Sequence, residues 1–201
     1  MAKNLNLTPL THSFYSSSTL KVAGNLIGKY LVREQGRKRW IGRIVETEAY
    51  IGEDDPACHA FHGRTARTRI MYGPPGHAYV YFTYGMHFML NVVTEKEDFP
   101  AAILIRALEP VSGFSGSDPR PASGPGKLCK AMQIDLSLNG ASLQGNALWI
   151  GKNSRERFKP QIRWSNRIGI RVGTEKLWRA YLLDNPYVSR KSSENHASSP
   201  S

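Results

Sequence analysis

Two stretches of the chain alternate between apolar and polar residues in the way that β-strands do. The first runs from Gly42 to Tyr50, and the second runs from Tyr79 to Asn91 with Gly85 near its middle. Successive side chains of a strand point to opposite faces of a sheet, and glycine favours a turn. The pattern therefore predicts a strand at 42–50 and a hairpin over 79–94 that turns near Gly85.

The remaining sequence predicts elements of both types. A helix is expected from Ser18-Thr19 to Leu26-Ile27, ended by Gly28. Further strands are expected at 29–33, 40–49, 101–108, 147–150 and 166–173, a second helix at 126–132, and long loops at 52–78 and 112–126. The simplest account is an antiparallel meander. We therefore expect one mixed α+β domain over residues 1–188 and a polar, disordered tail at 189–201.

The charge of the chain predicts that this domain has a polyanionic partner. The chain has 27 Lys and Arg against 16 Asp and Glu, a net charge of +11 over 201 residues. Nucleic acid is the first candidate and an anionic membrane the second, while a basic enzyme without such a partner is the alternative. No apolar run of about 18 residues predicts a transmembrane helix, and no signal peptide is evident. With two cysteines, we expect a cytoplasmic protein without a disulfide framework.

The 42–50 strand carries an unusual polar face. Alternation places Glu46, Glu48 and Tyr50 together, opposite a face that suits the core. One interpretation is a solvated face with an ordinary pair of glutamates. The other is a general base, because a carboxylate beside an aromatic pocket has its pKa raised by desolvation. Alternation does not choose between Glu46 and Glu48.

The predicted hairpin is rich in tyrosine. Tyr79 and Tyr81 point to the same face, whereas Tyr84 lies beside Gly85 at the tip. Aromatic residues are common in strands, and this explanation suits Tyr79. A bulky ring at an exposed tip is better explained by insertion between the bases of a nucleic acid.

Three short motifs bear on binding. Arg64, Arg67 and Arg69 form a basic loop suited to phosphate oxygens, although a solvated charged loop is the alternative. The segment 58–62 invites a metal hypothesis, which the lack of a second ligand pair with zinc spacing disfavours. The turn at 124–127 resembles half of a nucleotide-binding phosphate loop, but it lacks the first glycine and the Ser/Thr. It could still place Lys127 near a DNA phosphate.

Several separated motifs, taken together, resemble the alkyladenine (3-methyladenine) DNA glycosylase family. They are Arg43–Tyr50, His59, Tyr79–Tyr81, Tyr84–Met86, Asn91, Arg106–Pro110 and Gly124–Leu128. The resemblance runs from about residue 13 to residue 188, in the family's order. It implies a curved antiparallel sheet with surrounding helices and a protruding hairpin, and a protein that needs no metal or cofactor. We separately expect a monomer.

The resemblance also implies roles by position. Glu48 matches the base that deprotonates the attacking water, and Arg106 and the backbone carbonyl of Ile168 match groups that hold that water. The flipped base is sandwiched by residues matching Tyr50, His59 and Tyr81. Asn91 matches a residue that crowds the 2-amino group of guanine, and Tyr84 matches the wedge that fills the gap in the duplex. The expected DNA-binding residues are Tyr84, Met86, Arg64, Arg67, Arg69 and Lys127.

The implied activity is monofunctional removal of alkylated or deaminated purines from double-stranded DNA: 3-methyladenine, 7-methylguanine, hypoxanthine and ethenoadenine. It would occur in the bacterial cytoplasm, or in the nucleus of a eukaryote. Two rival classes stay open. A non-catalytic nucleic-acid-binding module shares the charge and the aromatic residues, and a metal-dependent nuclease could use Glu46, Glu48 and His59.

Overall fold

The structure is a computed structural model that describes residues 5–189. Apart from Ser189, the predicted tail at 189–201 lies outside the described residues. The strands are β1 (Leu7–Pro9), β2 (Tyr30–Gln35), β3 (Lys38–Ile51), β4 (Ala78–Thr83), β5 (His87–Val93), β6 (Ala101–Ser112), β7 (Leu148–Asn153), β8 (Ile162–Ser165) and β9 (Arg179–Leu182). The α-helices are α1 (His12–Tyr15), α2 (Thr19–Leu26) and α3 (Pro125–Ala131), and 3-10 helices cover His59–His62, Thr68–Tyr72 and Leu136–Leu138.

The described strands form one antiparallel sheet centred on β3. The main order is β1-β7-β2-β3-β6-β5-β4, with β9 pairing with both β3 and β8. The first half of β3 pairs with β2 and its second half with β9 along the same edge, while β6 follows the other edge. The predicted class, a mixed α+β fold on an antiparallel sheet, is confirmed. The domain limits 1–188 stay a prediction.

The two faces of this sheet carry different kinds of residue, because side chains alternate along each strand. On β6, Ile103 and Ile105 are buried in the main hydrophobic core. That core also takes Val22 and Leu26 from α2, and the Thr47 hydroxyl donates to the carbonyl of Ala23, 3.1 Å away. The opposite face of β3, β6, β5 and β4 is left for the polar and aromatic residues of the site.

The predicted helix at 18–27 and the hairpin at 79–94 are confirmed by α2 and by β4–β5. The strand predicted at 166–173 is wrong, because β8 ends at Ser165 and the next residues form bends. Gly169 and Gly173 have φ angles of 80° and 62°, which strands do not adopt. The amide of Ile168 bonds to a carboxylate instead of to a neighbouring strand. No helix within residues 5–189 is long and apolar enough to cross a bilayer.

Candidate active site

A cleft of about 320 Å³ opens on the polar face of the sheet. Its walls come from β3, β4, β5, β6, the 3-10 helix at 59–62 and the segment after β8. Seven predicted site residues line it: Tyr50, His59, Tyr81, Tyr84, Asn91, Arg106 and Ile168. Strand register explains part of this convergence, because Leu104 of β6 lies between Glu48 of β3 and Asn91 of β5. Tyr79 of β4 follows next to Asn91.

The Glu48 carboxylate lies directly behind the residues that line the cleft. Its Oε2 accepts from the Tyr50 hydroxyl at 2.9 Å and from Arg106 Nη1 at 3.1 Å. Its Oε1 accepts from the backbone amide of Ile168 at 2.7 Å. A carboxylate has about four acceptor positions, so these three donors, the ones found within residues 5–189, leave one on Oε1. The observed contact uses the Ile168 amide, and the role expected for its carbonyl stays a prediction.

Burial sets the charge state of this group. Side-chain exposure of Glu48 is zero, and desolvation raises its pKa above the usual range, against the opposing effects of Arg106, the Ile168 amide and the Tyr50 hydroxyl. Desolvation, together with the charge of Glu48, raises the pKa of Tyr50 well above its ordinary value. Tyr50 is therefore a hydrogen-bond donor at neutral pH, and Glu48 is suited to accepting a proton.

Glu46, two residues earlier, has a different environment. Its Oε1 lies 3.0 Å from Arg106 Nε and 2.7 Å from Arg179 Nε. The amide of Ser189 donates to Oε2 at 2.6 Å. These cations and this amide outweigh desolvation and hold the pKa of Glu46 below its usual range. Because both glutamates are fully buried, the interpretation of a solvated face is wrong.

Arg106 links the two carboxylates from an irregular position on β6. Glu46 of β3 pairs with Ala107 of β6, and the next residue, Thr47, pairs with Ile105. Arg106 lies between these two pairs, so no β3 residue is directly opposite it. Such bulges redirect a side chain at functional sites. The guanidinium donates through Nε to Glu46 and through Nη1 to Glu48. It therefore fixes the orientation of Glu48 while balancing part of its charge.

The opposite wall of the cleft is aromatic. Ring centroids of His59 and Tyr81 are 4.6 Å apart with planes at 73°, and those of Tyr79 and Tyr81 are 5.4 Å apart. His59 Nδ1 shares a hydrogen bond of 2.9 Å with the Tyr79 hydroxyl. Desolvation and the charge of Arg67 lower the pKa of His59 to about 4. The imidazole is therefore neutral at physiological pH. Asn91 also lines the cleft, and it is held by a 3.1 Å bond from Nδ2 to the Tyr79 carbonyl.

The hairpin tip projects beside the cleft. Tyr84 is 79% exposed and Met86 is 69% exposed. Tyr84 and Gly85 have φ angles of 53° and 68°, and the Met86 amide donates to the Thr83 carbonyl at 3.3 Å. These features match a type I′ turn, whose first central position favours Asn or Gly. A tyrosine there is strained and gains little from packing, which favours a role in contact with a partner.

The predicted cations are spread over a wider area. The Arg67 guanidinium lies 4.9 Å from the centroid of the Tyr81 ring. Arg64 pairs with Asp98 at 3.2 Å, and Lys127 pairs with Asp118 at 2.9 Å. Arg69 is exposed on the same loop as Arg67. None of these four cations is among the described residues that line the cleft, so any contact with DNA would be outside it.

One buried ion pair next to the site was not predicted. Arg167 donates to both carboxylate oxygens of Asp55, at 2.6 and 2.8 Å, and the two side chains are fully buried. Its guanidinium also lies 4.7 Å from the centroid of the Tyr50 ring, and the next residue is Ile168. The pair joins residues 112 positions apart, so no local pattern in the sequence indicates it.

The 58–62 segment does not assemble a metal site. Within residues 5–189, no three His, Cys, Asp or Glu side chains are grouped closely enough to hold a metal ion. Cys58 and Cys129 are both free and buried. His59, the one member of this motif among the cleft residues, instead bonds to Tyr79.

Comparison with known proteins gives a single result. Residues 13–186 match the family model described as Methylpurine-DNA glycosylase (MPG). A protein of Carboxydothermus hydrogenoformans, provisionally named 3-methyladenine DNA glycosylase, is 46% identical over 190 residues, covering 90% of this chain and 99% of that protein. Proteins with the same provisional name from Legionella pneumophila and Methanocella arvoryzae are each 47% identical, over 185 and 195 residues, again covering 90% of this chain and 98% and 96% of theirs. The chain therefore belongs to the methylpurine-DNA glycosylase family.

Proposed function

We propose that the protein hydrolyses the N-glycosidic bond of alkylated or deaminated purines in double-stranded DNA, the first step of base excision repair. The proposed substrates are 3-methyladenine, 7-methylguanine, hypoxanthine and ethenoadenine. The observation that carries the proposal is the placement of Glu48: a desolvated carboxylate, behind an aromatic cleft, with one acceptor position that no donor of the described part of the chain uses. We further propose that it acts as a monomer wherever the cell keeps its DNA.

Binding begins with the phosphates and proceeds by extrusion of the damaged nucleotide. The net charge of +11 and the exposed arginines of the 64–69 loop support salt-sensitive binding to the duplex. Tyr84 enters the base stack as the damaged nucleotide rotates out, and Met86 contacts the adjacent groove. Extrusion costs a few kcal/mol of stacking, and a damaged base costs least.

The extruded base enters the cleft between Tyr50 on one side and His59 and Tyr81 on the other. Contacts between a base and an aromatic ring contribute about 1–3 kcal/mol each, which offsets part of the cost of extrusion. Asn91, held rigidly by the Tyr79 carbonyl, crowds a purine that carries a 2-amino group. The cleft therefore disfavours guanine by shape, and 7-methylguanine, which carries the same 2-amino group, is released because its cationic base leaves readily.

The chemical step is attack of water on the sugar carbon C1′. Glu48 takes a proton from the water through the open position on Oε1, while the C1′–N bond breaks and its electron pair leaves with the base. The carboxylate charge also stabilises the positive charge that develops on the sugar. A base alkylated at N3 or N7 is cationic, so it leaves as a neutral molecule.

The proposed enzyme is monofunctional. Strand cleavage by a glycosylase needs an amine that forms a Schiff base with the sugar. Among the described residues, no lysine lines the cleft or bonds to Glu48. The products are therefore the free base and an intact strand with an abasic site.

One experiment tests the proposal. Duplexes carrying hypoxanthine, ethenoadenine or 3-methyladenine are incubated with the protein in EDTA and scored for free base and abasic sites. Wild type should release base, whereas Glu48→Gln should bind the lesion but not release it. Glu34→Gln, a change at an exposed surface glutamate, serves as the matched control and should stay active. Normal turnover by Glu48→Gln would end the proposal. Strand breaks that EDTA abolishes would support a nuclease, and salt-sensitive binding without base release would support a binding module.

A further inference from the structure

Both tyrosine walls of the cleft have an arginine against a ring face. The guanidinium carbon of Arg67 lies 4.9 Å from the Tyr81 centroid, and that of Arg167 lies 4.7 Å from the Tyr50 centroid. Tyr50 and Tyr81 line the cleft, and neither arginine is among the described residues that do so. Each ring therefore lies between the cleft that it lines and an arginine that is outside the lining.

The two arginines differ in whether a neighbouring carboxylate balances their positive charge. Arg167 is buried and forms a bidentate pair with Asp55, at 2.6 and 2.8 Å, so the charges of the pair cancel at a distance. Arg67 is exposed, and no carboxylate within residues 5–189 forms an ion pair with it. The positive charge of Arg67 reaches into the cleft, because it helps to lower the pKa of His59.

This arrangement distinguishes charged bases from neutral ones. The negative face of an aromatic ring attracts a cation, and a cation already bound on one face weakens the attraction for a second. A base stacked about 3.5 Å from the other face of Tyr81 would lie about 8 Å from the Arg67 charge. A base alkylated at N3 or N7 carries a positive charge and is repelled at that distance, whereas hypoxanthine and ethenoadenine are neutral.

We propose that Arg67 is a specificity-determining residue that disfavours cationic purines relative to neutral ones through the Tyr81 ring. The inference rests on the proposed function, since it needs a base in the cleft. For two charges about 8 Å apart near a protein surface, Coulomb's law, reduced by salt screening over a Debye length of about 8 Å at physiological ionic strength, gives a discrimination of about two- to fivefold. A contact between Arg67 and a DNA phosphate would affect every lesion equally, so a ratio of two lesions removes that contribution.

The test compares the binding affinity of the Glu48→Gln protein for a duplex carrying 7-methylguanine, which is cationic, with its affinity for a duplex carrying ethenoadenine, which is neutral. Both lesions are placed in the same duplex sequence at the same salt concentration. The variants are Arg67→Gln and Arg67→Met, which remove the charge, and Arg67→Lys, which keeps it. Arg69→Gln is the matched control, because it removes a charge from the same exposed loop, and within residues 5–189 the arginines over Tyr81 and Tyr50 are Arg67 and Arg167.

We expect Arg67→Gln and Arg67→Met to raise the ratio of the 7-methylguanine affinity to the ethenoadenine affinity by about two- to fivefold. Arg67→Lys should stay nearer to the parent protein, and Arg69→Gln should weaken binding of both lesions without moving the ratio. An unchanged or lowered ratio in both neutral variants, or an equal rise in Arg69→Gln, would overturn the inference. If wild type excises both lesions, such a result leaves the proposed function intact. If wild type excises neither lesion, both the proposed function and the inference about Arg67 are refuted.

Discussion

The pair between Asp55 and Arg167 makes a quantitative prediction about stability. Asp55→Asn keeps the size of the side chain but removes its charge, so Arg167 stays buried without a counter-ion. Both side chains have zero exposure, and breaking such a pair by removing one partner costs about 3–5 kcal/mol. Since a domain is stable by about 5–15 kcal/mol in total, this one change removes a large fraction of the stability.

The magnitude converts to a measurable shift. For a chain of about 200 residues, each kcal/mol lowers Tm by about 2–4 °C, so Asp55→Asn should lower it by about 6–20 °C. The matched control is Asp98→Asn, which breaks the pair with Arg64, whose side chains are 80% and 58% exposed. An exposed pair contributes about 0–1 kcal/mol, so the control should scarcely change.

Urea and thermal unfolding of both variants would measure these two losses of stability. Equal losses in Asp55→Asn and Asp98→Asn would refute the reasoning, since burial would then make no difference. A second check is the double variant Asp55→Asn with Arg167→Met, which leaves no unpaired charge. We expect it to be more stable than Asp55→Asn alone, in spite of two lost bonds to the carbonyls of Ala49 and Gly173.

Three further predictions follow from the site. Glu48 accepts a proton only when it is ionised, and its pKa is raised. Excision of 7-methylguanine should therefore be lost as the pH falls, and at a higher pH than for an ordinary glutamate. A single-turnover rate that stays flat down to a pH of about 4.5 would contradict this. Tyr84→Asn places a preferred residue in the turn, so thermal unfolding should show equal or greater stability while duplex excision falls; unchanged excision would exclude the wedge. Arg69→Gln should reduce the slope of log affinity against log salt by about 0.9 if the residue meets one phosphate, and an unchanged slope would exclude that contact.

The sequence predicted well what depends on strand alternation. Val45 and Ala49 lie in the main core, and Glu46, Glu48 and Tyr50 share the other face, as the period of two requires. The hairpin and its turn at Gly85 were predicted for the same reason. These features are local, so a short window of sequence contains the information that specifies them.

What the sequence did not predict depends on contacts between distant segments. Residues 166–173 have the composition of a strand, but their backbone is fixed by bonds to side chains, such as the 2.7 Å bond from the Ile168 amide to Glu48, 120 residues away. The Asp55–Arg167 pair and the bond from Ser189 to Glu46 span similar separations. Side-chain bonds of this kind have no period along the chain, so neither alternation nor composition indicates them.

The different roles of Glu46 and Glu48 follow from how many cations each one meets. Both are fully buried on the same face of β3, and Arg106 bonds to both. Arg179 and the Ser189 amide then bond to Glu46, and within residues 5–189 neither is recorded on Glu48, so the negative charge of Glu46 is balanced and its pKa is lowered. Glu48 receives one guanidinium, one amide and one phenol, and desolvation prevails. A residue with a lowered pKa is a poor proton acceptor, and a residue with a raised pKa is a better one. Glu46 is therefore suited to holding Arg106 in place, and Glu48 to taking the proton from water.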